Sequence, residues 1–200
     1  MNAVITPPPH SYRVHPEIRQ LIDEAQSRPL TEQELARYEE ILPDQQHRSA
    51  AARNVAQHEE LVVKRTVLDV MQLYPYQEFH LRAPEKCLRD VRFISIYATH
   101  TMLMNDTQWF KDKLLIWFRT ILHSFNYPAI DAGDPSKRAD VKNAHPDLTA
   151  TATQLPGKAQ SIYDCYSRLR RNYESVLEPE SWALMDEPLQ LALDALTEVR

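Results

Sequence analysis

The sequence predicts an all-α protein, and three observations lead to that prediction. Only two glycines occur, Gly133 and Gly157, whereas average usage of about 7% would give roughly fourteen in a chain of this length. The 14 prolines fall mostly at the starts of predicted helices or between them. Apolar residues recur at helical spacing along most of the chain. The scarcity of glycine also argues against tight β-hairpins, phosphate-binding loops and dinucleotide-binding fingerprints.

Composition narrows the class of protein further. The chain has 200 residues and a formal net charge of −5, which argues against a general nucleic-acid binder. Its two cysteines, Cys87 and Cys165, have no metal-site spacing and indicate a reducing compartment. The N-terminus lacks the pattern of a secretory signal, and no apolar run approaches the ~18–20 residues of a membrane span. We therefore expect a cytoplasmic protein that does not span a membrane and does not bind nucleic acid.

The N-terminal part is predicted to be an arm followed by two short helices. Residues 1–15 contain three consecutive prolines and few apolar side chains, so we expect an extended arm there, and a single domain over residues 16–200. Pro16 opens the first helix. The capping box Thr31-Glu32-Gln33-Glu34 opens the second, which Pro43 ends.

A long helical pattern follows from Asp44 to about Leu73. Its middle, from Gln57 to Glu60, is polar, so either a kinked helix or two helices would fit. Tyr74-Pro75-Tyr76 ends the pattern, and residues 75–83 are predicted to form a loop.

The C-terminal half continues as helices with prolines at the joints. Asp106 is a predicted N-cap. Residues 131–157 are predicted to leave the helical core as a surface excursion. A helix over 158–177 follows, Pro179 opens another, and Pro188 either starts or kinks the last. About eight helices with proline-marked joints resemble a globin-like layout more than an up-and-down bundle.

The helix that begins near Pro84 carries the most distinctive chemistry. Asp90 lies three residues after Cys87, so the thiol and the carboxylate share a face. Ile94 belongs to an apolar wall on that face, and Arg82, Lys86 and Arg89 add positive charge. A soft nucleophile, a carboxylate, cations and an apolar wall could hold a long, flat, conjugated ligand with its own acids and N–H donors.

The motifs on this helix resemble the chromophore helix of phycobiliproteins, the bilin-carrying light-harvesting subunits of phycobilisomes. The resemblance covers roughly residues 16–130, and residues 158–195 weakly. The matching positions on and after the helix are Cys87-Leu88-Arg89-Asp90, Phe93, Tyr97-Ala98-Thr99, Met102-Leu103 and Asp106. The matching positions upstream are Thr31–Leu35, Leu42, Arg48 and Ala51-Ala52.

The resemblance implies a globin-like phycobiliprotein fold with an N-terminal helical extension, and a linear tetrapyrrole (phycocyanobilin or a related bilin) joined to Cys87 by a thioether. Asp90 would accept hydrogen bonds from the inner pyrrole N–H groups. Arg89 would pair with one propionate, and Arg82 or Lys86 with the other.

Ile94 and Tyr97 complete the expected set of pigment-binding residues. The implied function is light absorption and energy transfer, or its regulation, with thylakoid association on the cytoplasmic side. The implied partner is a second copy of the chain or another phycobiliprotein-like subunit.

Several positions depart from the family pattern. Ile96 replaces an arginine that forms a salt bridge with an aspartate on the partner subunit's N-terminal helix, and Asp23 or Glu24 would occupy the aspartate position. Arg92 replaces an acidic residue, and Asn105 replaces a glycine that permits close helix packing. The usual pairing of subunits therefore does not follow from the resemblance.

Other functions remain open at this stage. A non-pigmented phycobiliprotein-like interaction or assembly protein is the main alternative, and an enzyme acting on bilins is the third; we expect no enzyme. Cys165 has no charged frame in the sequence and reads as a buried thiol. The eight histidines form no metal pattern, and His58, His100 and His123 are the helical candidates for a haem ligand.

Overall fold

The computed structural model describes residues 14–74, 82–124 and 157–197. The described residues form seven α-helices and contain no strand, which confirms the all-α prediction. The helices are α1 (Pro16–Ala25), α2 (Glu32–Ile41), α3 (Gln46–Leu73), α4 (Ala83–Met104), α5 (Thr107–Phe110, a π-helical turn Lys111–Leu115, and Ile116–Ser124), α6 (Gly157–Glu174) and α7 (Pro179–Thr197). Most of the predicted arm, most of the loop at 75–83 and the excursion up to residue 156 lie outside the described residues.

The predicted helix starts at Thr31 and Asp106 are present. The Glu34 amide donates to the Thr31 hydroxyl at 3.3 Å, and the Thr31 amide donates to the Glu34 carboxylate at 2.8 Å, so the capping box is complete. The Asp106 carboxylate accepts from the amide of Trp109 at 3.0 Å. Local sequence chemistry therefore fixes where α2 and α5 begin.

Two helices are continuous at points where the sequence left a break possible. A 3-10 turn at Pro43–Gln45 leads into α3, which is a single helix of 28 residues, with no break in its polar middle. The last helix, α7, continues through Pro188. Met185 and Leu189, on either side of that proline, are fully buried. Their packing outweighs the ~3 kcal/mol that a proline inside a helix costs.

The helix α5 contains a π-helical turn that the sequence did not predict. The turn covers Lys111–Leu115, and its residues Leu114 and Leu115 are buried. A π-helical turn inserts a residue and rotates the side chains that follow. Phe110 and Phe118, on either side of the turn, are both buried.

The core lies around α3, which packs against α4, α6 and α7. The hairpin of α1 and α2 packs onto the C-terminal end of α4, where the Tyr38 hydroxyl donates to the Leu103 carbonyl at 2.9 Å. Arg48 donates to the Met102 carbonyl at 2.5 Å, and Arg19 pairs with Asp106 at 3.3 Å. These contacts hold one end of α4 in place, and the candidate site begins at its other end.

Asn105 follows the C-terminal end of α4 as its C-cap and adopts a left-handed conformation with φ 53° and ψ 40°. Glycine is preferred at such a position, and asparagine is the residue that tolerates it next best. Asn105 can therefore end α4 in a left-handed conformation without a glycine. None of the helices described here has a segment long and apolar enough to cross a membrane.

Candidate functional site

The candidate site lies in the first three turns of α4. Pro84 stands in the first turn of this helix, where its missing N–H needs no partner. Cys87 is half-buried and packs against the hydrophobic core. Asp90 follows one helical turn later, and only 14% of its side chain is exposed. The helix thus places a thiol and a largely buried carboxylate on one face, as the sequence predicted.

The Asp90 carboxylate is partly neutralised by its neighbour in sequence. Arg89 donates from Nε at 2.8 Å and approaches with a second nitrogen at 2.7 Å, both to Oδ1. Burial nevertheless raises the pKa of Asp90, and the positive charges of Arg89 and Lys86 oppose this shift only in part. Burial therefore disfavours the charged form of this carboxyl by more than its neighbouring cations favour it.

The remaining predicted cations lie toward solvent. Lys86 is exposed, and the side chain of Arg82 is 76% exposed with Glu85 at 3.9 Å. Such long side chains can reach an anionic group on a ligand at little cost. Arg92, the charge reversal in the sequence, is paired with Glu59 at 2.9 Å and stands apart from this set.

The two apolar members of the predicted set have different surroundings. Ile94 is fully buried and belongs to the hydrophobic core. Tyr97 is half-buried, and its ring stacks on that of Trp109 with 5.4 Å between centroids and 18° between planes. Tyr97 therefore faces α5, almost three turns along α4 from Cys87.

An aromatic cleft of about 320 Å³ lies between α1, α4 and α5. Lys86, Asp90, Phe93 and Tyr97 follow one another at spacings of four, three and four, which place them on one stripe of α4. The cleft thus continues the face that carries Asp90. Sequence reasoning missed this cleft, although the spacing of Phe93 and Tyr97 from Asp90 was its signal. The cleft is lined by Ile22, Asp23, Gln26, Ser27, Phe93, Tyr97, Trp109, Lys113, Leu114 and Trp117.

Cys165 has surroundings that sequence reasoning missed. It lies on α6 with its side chain buried, as predicted, and Cys87 on α4 is close enough to affect its titration. This contact, together with burial and the negative charges of Asp90 and Asp164, raises the pKa of Cys165. The expectation that Cys165 has no charged frame was wrong, because Asp164 precedes it in the sequence and the tertiary fold adds the influence of Asp90.

The positions that concern partner pairing are engaged within the chain itself. Asp23 forms an ion pair with Lys113 at 3.1 Å. Ile96 is only 3% exposed, and beside it Pro29 and Leu30 line the same apolar pocket. In this conformation the face of α4 around Ile96 is covered by the chain's own N-terminal hairpin.

The histidines give no sign of a metal or haem site in the part of the chain that the structure describes. Burial lowers the pKa of His100 to about 4, and His58 shares a hydrogen bond with the Asn54 carbonyl at 2.9 Å. No group of three potential metal ligands occurs among the described residues. His80 and the side chain of His123 are not described.

Comparison with known proteins gives one match. The model of a family described as "Phycobilisome protein" matches residues 21–133, a segment that contains Cys87, Asp90 and the aromatic residues of the cleft. No curated protein and no solved structure matches the chain.

Proposed function

The chain belongs to the phycobilisome protein family, whose fold is all-α and globin-like, and from that premise we propose that it carries an open-chain tetrapyrrole on Cys87. The pigment would be phycocyanobilin or a related bilin, bound to the sulfur by a thioether. Bound there, the bilin supplies absorption of visible light. The half-burial of Cys87 leaves its thiol reachable while the surrounding core limits contact with water.

The observation that carries this proposal is the buried carboxylate of Asp90. An acid that is 14% exposed and whose pKa is raised by burial gains from additional N–H donors. The inner pyrrole nitrogens of a bilin are such donors, and a charge-assisted hydrogen bond to a carboxylate is about twice as strong as a neutral one. Asp90 therefore suits the task of orienting and extending the pigment.

The basic side chains around Asp90 would hold the propionates of the pigment. Arg89 would exchange part of its contact with Asp90 for one propionate, because its planar guanidinium can pair with two oxygens at once. Arg82 and Lys86 are exposed and would take the second propionate. The charge of the ligand is thereby matched near the surface, where the cost of desolvation is small.

The aromatic cleft would receive the far end of the pigment. Cys87 and Tyr97 are ten residues apart, so a ligand tethered at Cys87 must extend about 15 Å along α4 to reach Tyr97. The volume of about 320 Å³ lies at the lower end of the range for small-molecule sites, roughly 300–1,000 Å³. Flat rings would stack on Tyr97, Trp109 or Trp117. Ile94 would support this face from within the core.

The corresponding role is light absorption and energy transfer, or the regulation of energy transfer, without catalysis. The family relationship supports assembly with related subunits, and a place at the cytoplasmic side of the thylakoid. A homo-oligomer or a pairing with another phycobiliprotein-like subunit would serve this role.

The test is to produce the chain in cells that make a bilin, denature it, and view a zinc-soaked gel under ultraviolet light. We expect fluorescence at the mass of the chain, retained in Cys165→Ala and lost in Cys87→Ser. A dark band for the wild type, with the bilin supply verified on a known acceptor, would contradict attachment.

A second candidate is a non-pigmented assembly protein of the same family. The observation in its favour is the exposure of Ile116 and Trp117, each 56% exposed on α5. Aromatic and aliphatic side chains exposed together are typical of protein interfaces. A dark wild-type band together with co-purification of a phycobiliprotein subunit, lost in Trp117→Ser, would favour this candidate.

A further inference from the structure

We propose that α1 is a hinged lid on the aromatic cleft, and that its opening admits the far end of the pigment. Helix α1 contributes Ile22 and Asp23 to the lining of the cleft, and the turn after it contributes Gln26 and Ser27. The other lining residues belong to α4 and α5. Within the described part of the chain, α1 has one covalent connection to the rest of the fold, the segment 26–31 that leads to α2. A change of backbone angles in that segment can move the α1 wall while the other walls stay in place.

The segment after α1 contains a strained residue, Gln26. Its φ of 54° and ψ of −115° lie in a region that glycine enters freely and that a Cβ atom makes costly. The Arg28 amide donates to the Ala25 carbonyl at 3.2 Å, so Gln26 is the second residue of a tight turn. Its angles are those of a type II′ turn, in which glycine is preferred at this position. The closed position of α1 therefore stores strain at its connection, and opening relaxes that strain.

The contacts that hold α1 closed are of two kinds. Ile18 and Ile22 are each 1% exposed, and their burial makes the closed position the major one. On the polar side, Asp23 pairs with Lys113 of α5 at 3.1 Å. Both of these residues line the cleft, so the ion pair joins one wall to another. Its side chains are about half exposed, and such pairs contribute little to stability. The ion pair is therefore a weak latch.

Two polar side chains at the cleft are unsatisfied in the closed position. Trp109 lines the cleft and is buried, and its indole nitrogen has no hydrogen-bond partner in the parts of the chain that the structure describes. The ring of His100 lies 6.3 Å from that of Trp109, and its two nitrogens also lack partners among those residues. Buried polar groups without partners are costly. The closed position thus carries a second cost, which access for water or for the polar edge of a ligand would reduce.

The lid has a consequence for the loading of pigment. A bilin tethered at Cys87 would bring its far end to the cleft, which the ion pair between Asp23 and Lys113 spans when α1 is closed. Opening of α1 would widen the cleft for the rings, and reclosure would exclude water from them. The strain at Gln26 would set how often the open form occurs. This consequence rests on the proposed function, whereas the movement of α1 does not.

The first experiment is hydrogen exchange of the pigment-free full chain, measured by mass spectrometry on peptides from α1, with peptides from α3 as the reference for global unfolding. Gln26→Gly should slow exchange in α1 by about fivefold or more, because glycine adopts the turn without strain. Ser27→Gly is the matched control and should not slow exchange, since the neighbouring Ser27 has no positive φ. Asp23→Asn should speed exchange in α1 by about twofold to fivefold, because it removes the latch.

Equal exchange rates for α1 in the wild type and Gln26→Gly would overturn the proposal. It would also be overturned if the amides of α1 exchanged no faster than those of α3, because α1 would then open only when the whole chain unfolds.

The second experiment follows zinc fluorescence per amount of chain over time in cells that make a bilin. We expect slower loading of Gln26→Gly and faster loading of Asp23→Asn than of the wild type, with the same final level. Equal loading rates in chains whose α1 exchange differs would overturn the gating of the pigment. If exchange responds as expected but no chain takes up pigment, the proposed function fails and the lid stands.

Discussion

Arg89 places two nitrogens on a single oxygen of Asp90, its neighbour in sequence, at 2.8 and 2.7 Å. The carboxylate thereby has one close cation in a site where burial would otherwise favour its neutral form. In the proposed complex with a bilin, this carboxylate would accept hydrogen bonds from the N–H groups of the pigment.

Replacing Asp90 by Asn should leave pigment attachment intact and weaken its visible absorption. The thiol of Cys87 is unchanged, but the amide accepts hydrogen bonds less strongly than a carboxylate and cannot stabilise a protonated pigment. The absorption band of the purified protein should become weaker and broader. Glu85→Gln, a change at a carboxylate that is 78% exposed on the same helix, should leave the spectrum unaltered. An Asp90→Asn spectrum equal to that of the wild type would exclude the role assigned to Asp90.

Removing the guanidinium with Arg89→Gln should raise the pKa of Asp90 in the pigment-free chain. Burial already shifts this pKa upward, and Arg89 is the main opposing influence. The shift can be measured by carboxyl carbon NMR over an acid titration. Arg92→Gln is the matched control, because Arg92 lies on α4 like Arg89 but is paired with Glu59 on α3. It should change the pKa of Asp90 less. An unchanged Asp90 titration in Arg89→Gln would mean that the ion pair is absent in solution.

His100 should make the folded state less stable as the pH falls from about 6.5 to about 4. Burial lowers its pKa to about 4, so the unfolded chain binds the proton first. Below pH 6.5 this preferential protonation of the unfolded chain lowers the free energy of unfolding. The loss should reach between about 1 and 3 kcal/mol near pH 4. His100→Phe, which keeps a ring beside Tyr97 and Trp109, should lose this component.

The measurement is urea unfolding of the wild type and His100→Phe at several pH values. Between pH 7.5 and pH 4.5 the free energy of unfolding should fall more for the wild type than for His100→Phe. A difference that is constant over this range would show that His100 titrates alike in the folded and unfolded chains.

Asn105 should tolerate glycine and reject a β-branched residue. Its φ of 53° is strained for most side chains, and glycine removes that strain. Asn105→Gly should change the free energy of unfolding by less than about 0.5 kcal/mol, and Asn105→Val should cost about 1–2 kcal/mol. Thermal or urea unfolding measures both. The loss of the amide contact with Arg48, at 3.1 Å, is common to the two variants and serves as the internal control.

The sequence was sufficient for those parts of the fold that local chemistry determines. Thr31 and Asp106 carry side chains that cap helices, and the prolines mark helix starts, so these boundaries could be predicted. The choice at Pro188 between a new helix and a continuous one could not, because it depends on how much surface Met185 and Leu189 bury against other helices. Helix propensity gives the free-energy cost of a proline inside a helix, whereas the burial that offsets this cost depends on tertiary packing.

The same distinction applies to the site. The common face of Cys87 and Asp90 follows from helical spacing and was predictable. The influence of Cys87 on the pKa of Cys165 depends on the tertiary fold, and no periodicity within either helix predicts it. The covering of Ile96 by Pro29 and Leu30 is likewise a property of tertiary packing.

The attachment of a pigment to Cys87 is tested most directly by locating the coloured peptide. The chain is produced with a bilin supply, digested with trypsin, and separated while visible absorbance is monitored, and the coloured peptide is sequenced by mass spectrometry. The account predicts one coloured peptide that contains Cys87 with the mass of a bilin added to its sulfur. A colourless digest, or colour on the peptide that contains Cys165, would contradict it.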